Sequence, residues 1–254
     1  MTRENTNKFM KNSDKFGFVF EEEITEKRME NNPYIKKVLE SKNILTNEEE
    51  IFEKAGFWNK YFGNNNGIYL EIGTGFGNFF SSETARNPDK NFIGVEIKYK
   101  RLWFTEQKTL GKASSLTPLL SKERGIKQFV LLKTKGQNID KFLGKEEIER
   151  TYIFFPDPWG NKDRQKKHRL FSEKFIKDLY EKTKVGGKLI FKTDHGEYFD
   201  TTLELFEKIG LWKIVLKSYD YEKETDKFDS KDLTEFESIF REDRIKVNYV
   251  EFEK

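Results

Sequence analysis

The chain has 254 residues, enough for one domain with an appendage, and Lys+Arg 47 against Asp+Glu 44 leave a formal net charge of only +3. Any pull on a polyanion therefore has to come from local clustering of charge. With no cysteine and only 2 histidines, disulfides, thiolate metal sites and cysteine nucleophiles are excluded, and no metal centre is expected.

The start, MTRENTNKFM, lacks the apolar centre of a signal peptide, and no apolar run reaches the roughly 18 residues a membrane span needs, so a soluble, cytoplasmic protein is expected. Residues 1 to 62 read as an N-terminal extension with short helices, partly flexible, ahead of a domain from 63 to 254. In its first part Phe9, Phe16, Phe18 and Phe20 are possible anchors, and Lys8, Lys11 and Lys15 fit either a solvated tail or a nucleic-acid contact. Pro33 opens a short helix with Ile35, Val38 and Leu39 on one side. Thr46 and Glu49 have the spacing of a capping box for a second helix ending near Trp58.

After the turn cluster Gly63 to Gly67 the pattern alternates. Strands are expected at Ile68–Ile72, Phe92–Ile97, Phe129–Leu132, Thr151–Phe155 and Lys188–Lys192. Between them lie helical segments at Asn78–Arg86, Lys98–Leu110, Ser114–Lys122 with Pro118 inside it, and Phe171–Thr183, the last with an apolar stripe of Phe171, Phe175, Ile176 and Leu179. Strict alternation implies right-handed crossovers and a doubly wound, mostly parallel α/β sheet. A helix at Tyr198–Ile209 leads to Leu211–Leu216, and Ile245–Phe252 closes the chain. No helix is evident between these two, so they read as a C-terminal antiparallel hairpin. That ending suits the seven-stranded, Rossmann-like sheet of class I methyltransferases.

Two features mark a nucleoside pocket. Leu70-Glu71-Ile72-Gly73-Thr74-Gly75-Phe76-Gly77 runs from a strand into a helix, where Gly73, Gly75 and Gly77 allow close backbone approach to a ligand. The dinucleotide fingerprint needs a further glycine at position 78, occupied by Asn78; G-x-G-x-G after an acid favours S-adenosyl-L-methionine over NAD. Glu96, at the end of the next strand, fits either a ribose-binding carboxylate or a cap for the following helix. Asn138 fits either an amide at an adenine edge or a turn residue.

The third feature is Thr151 to Leu170. A continuous apolar strand stops at Pro156 and Pro158, which fixes Asp157 and Trp159 where the strand gives out. Then follow Lys162, Arg164, Lys166, Lys167 and Arg169 against a lone acid, Asp163, a basic arm that fits either RNA phosphates or a solvated surface. Lys98-Tyr99-Lys100-Arg101 either extends that patch or is an exposed helix start.

Taken in order, FGNNNGIYLEIGTGFGNF, GVEI, IFFPDPWGNKDRQKKHRL, FKTD and TEFE resemble the tRNA (guanine-N7)-methyltransferase family from about Gly63 onward. The resemblance implies a class I fold, S-adenosyl-L-methionine as methyl donor, and guanosine 46 of the tRNA variable loop as acceptor. Carried over, Glu71, Glu96, Asn138 and Asp157 line the cofactor site, and Asp157 is catalytic. Lys162, with Asn161 as the alternative, faces the guanosine together with Asp194, Thr234, Glu235, Phe236 and Glu237. Bacterial members usually have Asp where Asn138 stands. Guanine N7 has a lone pair and no proton, so Asp157 is expected to orient and to stabilise charge rather than to act as a base. Trp159 fits either a ring for an extracted base to stack on or a residue filling a gap, and Asp157 by itself fits a turn cap as well. His168 is then another polar contact. A monomer or weakly associating homodimer acting on tRNA is expected. The rivals are a methyltransferase for another RNA, a small molecule or a protein, and a non-enzymatic RNA-binding protein.

Overall fold

The computed structural model describes residues 29, 31–116, 128–159, 168–221, 223, 234, 237, 240 and 242–254; within 112–116 only the backbone is described. The expectations for residues 1–28, the far end of the Pro118 segment, Asn161, Lys162, Arg164, Lys166, Lys167, Glu235 and Phe236 therefore lie outside the described residues.

In chain order the elements are α1 (Pro33–Leu39), β1 (Ile44–Leu45), α2 (Glu48–Phe52), α3 (Trp58–Phe62), β2 (Ile68–Ile72), α4 (Asn78–Arg86), β3 (Asn91–Val95), α5 (Tyr99–Leu116), β4 (Phe129–Leu132), α6 (Ile139–Phe142), β5 (Ile148–Phe154), α7 (Glu173–Lys182), β6 (Thr183–Thr193), α8 (Gly196–Ile209), β7 (Lys213–Ser218) and β8 (Asn248–Glu253). They form one 8-stranded sheet in the order β1-β4-β3-β2-β5-β6-β8-β7. All pairings are parallel except β6 with β8 and β8 with β7. The count is eight rather than seven because β1 adds two residues to the β4 edge, with Ile44 opposite Leu131 and Leu45 opposite Leu132. Two residues are too few to show a sequence period.

Local chemistry moved other boundaries. The cap of α2 is Asn47, whose side chain accepts from the Glu50 amide at 3.0 Å, one position beyond the Thr46–Glu49 pattern. Asparagine outranks threonine as a cap. That helix stops at Phe52, and α3 is a separate turn closed by Gly63 at φ 72°. The last strand starts at Asn248 rather than Ile245, which is left 40% exposed.

The parallel strands are buried on both faces, as their mostly apolar runs require, with Glu71 in β2 and Asn91 in β3 the polar residues among them. Leu70, Ile72, Val95, Val130 and Leu132 face one core, joined by Trp58 and Phe62 from α3. Tyr69, Phe92, Phe129, Leu131, Tyr152 and Phe154 face the other, the period-two alternation of a pleated sheet. From β2 the chain steps outward to β3 and β4, then returns to lay β5 on the opposite side of β2. The order therefore reverses between β2 and β5, whose ends are in register at Ile72 and Ile153. In open α/β sheets the ligand crevice lies outside the carboxyl ends of the strands at this switch point. Among the described residues no helix is long and apolar enough to cross a membrane.

Candidate active site at the switch point

β2 delivers the glycine loop to one side of the crevice. Gly73, Gly75 and Gly77 all have left-handed φ, at 85°, 55° and 78°, which a residue with a Cβ adopts only under strain. The amides of Gly73 and Thr74 both donate to the Val95 carbonyl, at 2.8 and 3.2 Å, and so fold the loop back over β3. The glycines divide the work. A Cβ on Gly73 or Gly75 would meet nothing within 4 Å, whereas one on Gly77 would lie 2.5 Å from Thr105 Cα. The first two leave a cradle open, and the third lets α5 close against the loop.

Two carboxylates underlie that cradle. Glu96 Oε1 accepts from the amides of Ile97 and Lys98 at 2.8 and 3.0 Å, and Oε2 accepts from Gly75 at 3.2 Å. It therefore holds the turn that leads into α5 and ties that turn to the loop. Four lone-pair positions against three amide donors leave Oε2 able to accept once more. Arg101 comes within 3.8 Å of the same oxygen, while the Lys100 ammonium lies 5.9 Å from the Phe76 ring centroid, so part of the Lys98–Arg101 run is engaged in the protein. Glu71 is 4% exposed and its Oε2 is buried without a hydrogen-bond partner. Burial first, then the charges of Glu83 and Glu96, push its carboxyl well above the usual range.

Asn138 ends the 3-10 turn Gly136–Asn138. Its Nδ2 donates to Glu48 Oε1 at 3.2 Å and to Thr134 Oγ1 at 3.0 Å, and the Thr134 hydroxyl donates to the same Glu48 oxygen at 2.6 Å. The donor side of this amide is thus spent within the protein. Glu48 lies in the extension, and no sequence spacing linked the two.

β5 brings Asp157 to the other side of the crevice. The corner begins at Phe155 and ends at Trp159, both left-handed at φ 49° and 43°, and Asp157 stands exposed between the prolines. Bulky residues in this region are uncommon and mark functional corners. Arg169 holds the corner from beneath: Nε donates to the Pro158 carbonyl at 2.7 Å and Nη2 to the Trp159 carbonyl at 3.3 Å. Its guanidinium also sits 5.0 Å from the Tyr198 ring centroid. Arg169 is buried, so it departs from its expected place at the end of an RNA-facing arm. Burial pushes the Tyr198 phenol up to about 12, and the Asp157 charge acts in the same direction. Trp159 is 43% exposed, with its ring 4.9 Å from that of His168.

Of the residues expected on the acceptor side, Asp194 is exposed just beyond β6. Thr234 and Glu237 form a reciprocal capping box, Thr234 N to Glu237 Oε2 and Glu237 N to Thr234 Oγ1, each at 3.1 Å. Thr-x-x-Glu is the sequence signature of that box. The other Glu237 oxygen accepts from Lys192 Nζ at 2.9 Å, and both side chains are 0% exposed. Neither Lys192 nor the inward turn of Arg169 was anticipated; a lysine inside an apolar strand, FKTD, was the available signal.

A doubly wound sheet with an antiparallel end, a G-x-G-x-G cradle and a carboxylate corner across the switch point defines a class I methyltransferase. A family model described as "Putative methyltransferase" matches residues 65–248. A tRNA (guanine-N(7)-)-methyltransferase of Geobacillus sp. (strain WCH70) is 33% identical over 216 residues, 84% of this chain and 89% of that protein. The chain belongs to the tRNA (guanine-N7)-methyltransferase family. It is also 36% identical over 225 residues, 88% of its length, to a bifunctional glycosyltransferase/methyltransferase of Fusobacterium nucleatum subsp. nucleatum, and spans 33% of that longer protein. In fold it is similar to the 16S rRNA methyltransferase KamB, with a TM-score of 0.52, 13% identity, and coverage of 77% of this chain and 91% of that one.

Proposed function

We propose that this chain transfers the methyl group of S-adenosyl-L-methionine to N7 of a guanosine in tRNA, at guanosine 46 of the variable loop, and does so in the cytoplasm. The observation that carries the reading is the placement of the glycine loop and the Asp157 corner at the adjoining ends of β2 and β5. Family membership and the name of the Geobacillus relative support the choice of base and atom.

The residues present fit the donor. S-adenosyl-L-methionine, when bound, supplies an electrophilic sulfonium methyl. Gly73 and Gly75 would cradle it, with open space beside both, and Gly77 would keep the loop closed against α5. The partnerless buried Oε2 of Glu71 suits an ammonium or hydroxyl donor, and the spare capacity of Glu96 Oε2 suits a ribose hydroxyl. Glu48 and Thr134 occupy the Asn138 amino group, which leaves its oxygen to accept from an adenine amine.

Guanine N7 needs no base, so the protein's task is orientation and charge. Asp157 is fixed by the strained corner and the Arg169 clamp, and there it offsets the positive charge the purine gains. Trp159 offers the base a ring to stack on. Lys162, Asp194 and the Thr234–Glu237 segment form the acceptor side.

Bulk tRNA incubated with methyl-labelled donor and digested to nucleosides tests this. Label is expected in 7-methylguanosine; label in another nucleoside, or in a small molecule or protein but not in tRNA, overturns it. Replacing the exposed Asp157 by Ala is expected to lower turnover about 100- to 1,000-fold with folding intact.

A further inference from the structure

We infer that Lys192 is a positioning residue for methyl transfer, a strut that joins the Asp157 corner to the Thr234–Glu237 segment. This rests on the function proposed above. Two bonds from one residue carry it. The Lys192 backbone carbonyl accepts from the Phe155 amide at 2.9 Å, and so holds the left-handed residue that launches the corner. Its side chain runs into the core and donates to Glu237 at 2.9 Å, with the ammonium 3.9 Å from the Tyr221 ring centroid and 4.8 Å from that of Phe154. Glu237 is locked in turn by its box with Thr234. The Phe155 and Phe240 rings, 5.2 Å apart, add a second contact between the corner and the chain three positions beyond Glu237.

Stability alone does not account for this pair. Both charges are 0% exposed, and a buried ion pair is often replaced by well-packed apolar residues without loss of stability. An apolar contact holds two segments together but lets them slide. An ammonium directed at one carboxylate oxygen, whose partner oxygen is pinned by a backbone amide, sets register. Register matters here because misplacement of about 1 Å can lower a rate about 100-fold. Glu237, with both oxygens engaged, thus acts through Lys192 rather than on the base, while Thr234 and Asp194 hold the acceptor side.

The test uses the full chain, tRNA methylation kinetics, calorimetry with S-adenosylhomocysteine, and thermal melting. The double variant Lys192→Met with Glu237→Gln removes both charges and keeps a side-chain oxygen for the Thr234 amide. It is expected to keep the melting temperature and bind S-adenosylhomocysteine within about 3-fold of wild type, while kcat falls at least about 30-fold. Lys192→Met alone, which strands Glu237, is expected to lose stability as well, so the double variant carries the test. Wild-type kcat in the double variant overturns the role of Lys192; so does loss of folding or of S-adenosylhomocysteine binding, which would make the pair structural. Wild-type protein run alongside separates the two readings, because failure of wild type to form 7-methylguanosine overturns the tRNA assignment instead.

Discussion

Arg169 Nε donates to the Pro158 carbonyl at 2.7 Å across eleven positions of chain. The bond closes the loop that carries Trp159 and ties its far end to the strand exit beside Asp157. A proline carbonyl between two left-handed residues has no strand partner, so the guanidinium supplies the pairing that the corner forfeits.

Because Arg169 also reaches the Trp159 carbonyl and lies over Tyr198, its planar fork matters more than its charge. Arg169→Lys is expected to lower kcat about 10-fold with little change in KM for tRNA. Arg169→Ala is expected to cost more, with about 2 kcal/mol lost in denaturant unfolding from the unpaired carbonyls. A fall in tRNA affinity with kcat intact would return Arg169 to the phosphate-binding arm.

The glycine loop separates cradle from packing. Gly75→Val forces a β-branched residue to φ 55° and puts side-chain atoms into the cradle, so calorimetry should show S-adenosylhomocysteine binding lost. Gly77→Ala drives a Cβ to 2.5 Å from Thr105 Cα, so it is expected to destabilise the fold by about 1 to 3 kcal/mol as α5 is pushed away. Normal affinity in Gly75→Val would remove the loop from the binding site.

The sheet was readable because parallel strands are buried on both faces, so Ile68–Ile72 and Phe129–Leu132 stand out as apolar runs and appear with the expected bounds. The hairpin was expected because the sequence shows no obvious helix between its strands; the structure places helical residues there at Glu237, Phe240 and Glu242, and β8 still pairs antiparallel with both β6 and β7. β1 escaped because its pairing with β4 is long-range and only two residues long. The side chains that organise the site were less legible, since their roles depend on partners far along the chain. Arg169 belongs to a run of cations, and only the fold shows that it turns inward. Lys192 meets Glu237 across 45 positions, and Glu48 meets Asn138 across 90.

Glu71 makes stability depend on pH in a known direction. Burial raises its folded pKa well above its value in the unfolded chain, so the folded state holds the proton more tightly than the unfolded chain does. The stabilisation is complete below that unfolded value and is lost as pH rises through the raised folded pKa. Glu71→Gln removes this dependence. Its melting temperature should gain on wild type as pH climbs from about 5 to about 8. Curves that stay parallel would mean Glu71 does not carry a raised pKa.

With Arg169 turned inward, the expected arm retains Lys162, Arg164, Lys166 and Lys167 as the cations proposed to meet tRNA. Each phosphate neutralised releases counterion, so affinity should fall with salt in proportion to the contacts made. Lys166→Ala with Lys167→Ala is expected to weaken tRNA binding and to reduce the slope of log affinity against log salt by about 1.5. kcat at saturating tRNA should hold, because neither residue belongs to the Asp157 corner proposed to orient the base. Fluorescence titration of labelled tRNA at several salt concentrations reads the slope directly. An unchanged slope would make these lysines solvated surface, and binding would then have to draw on the acceptor side around Asp194 and Thr234.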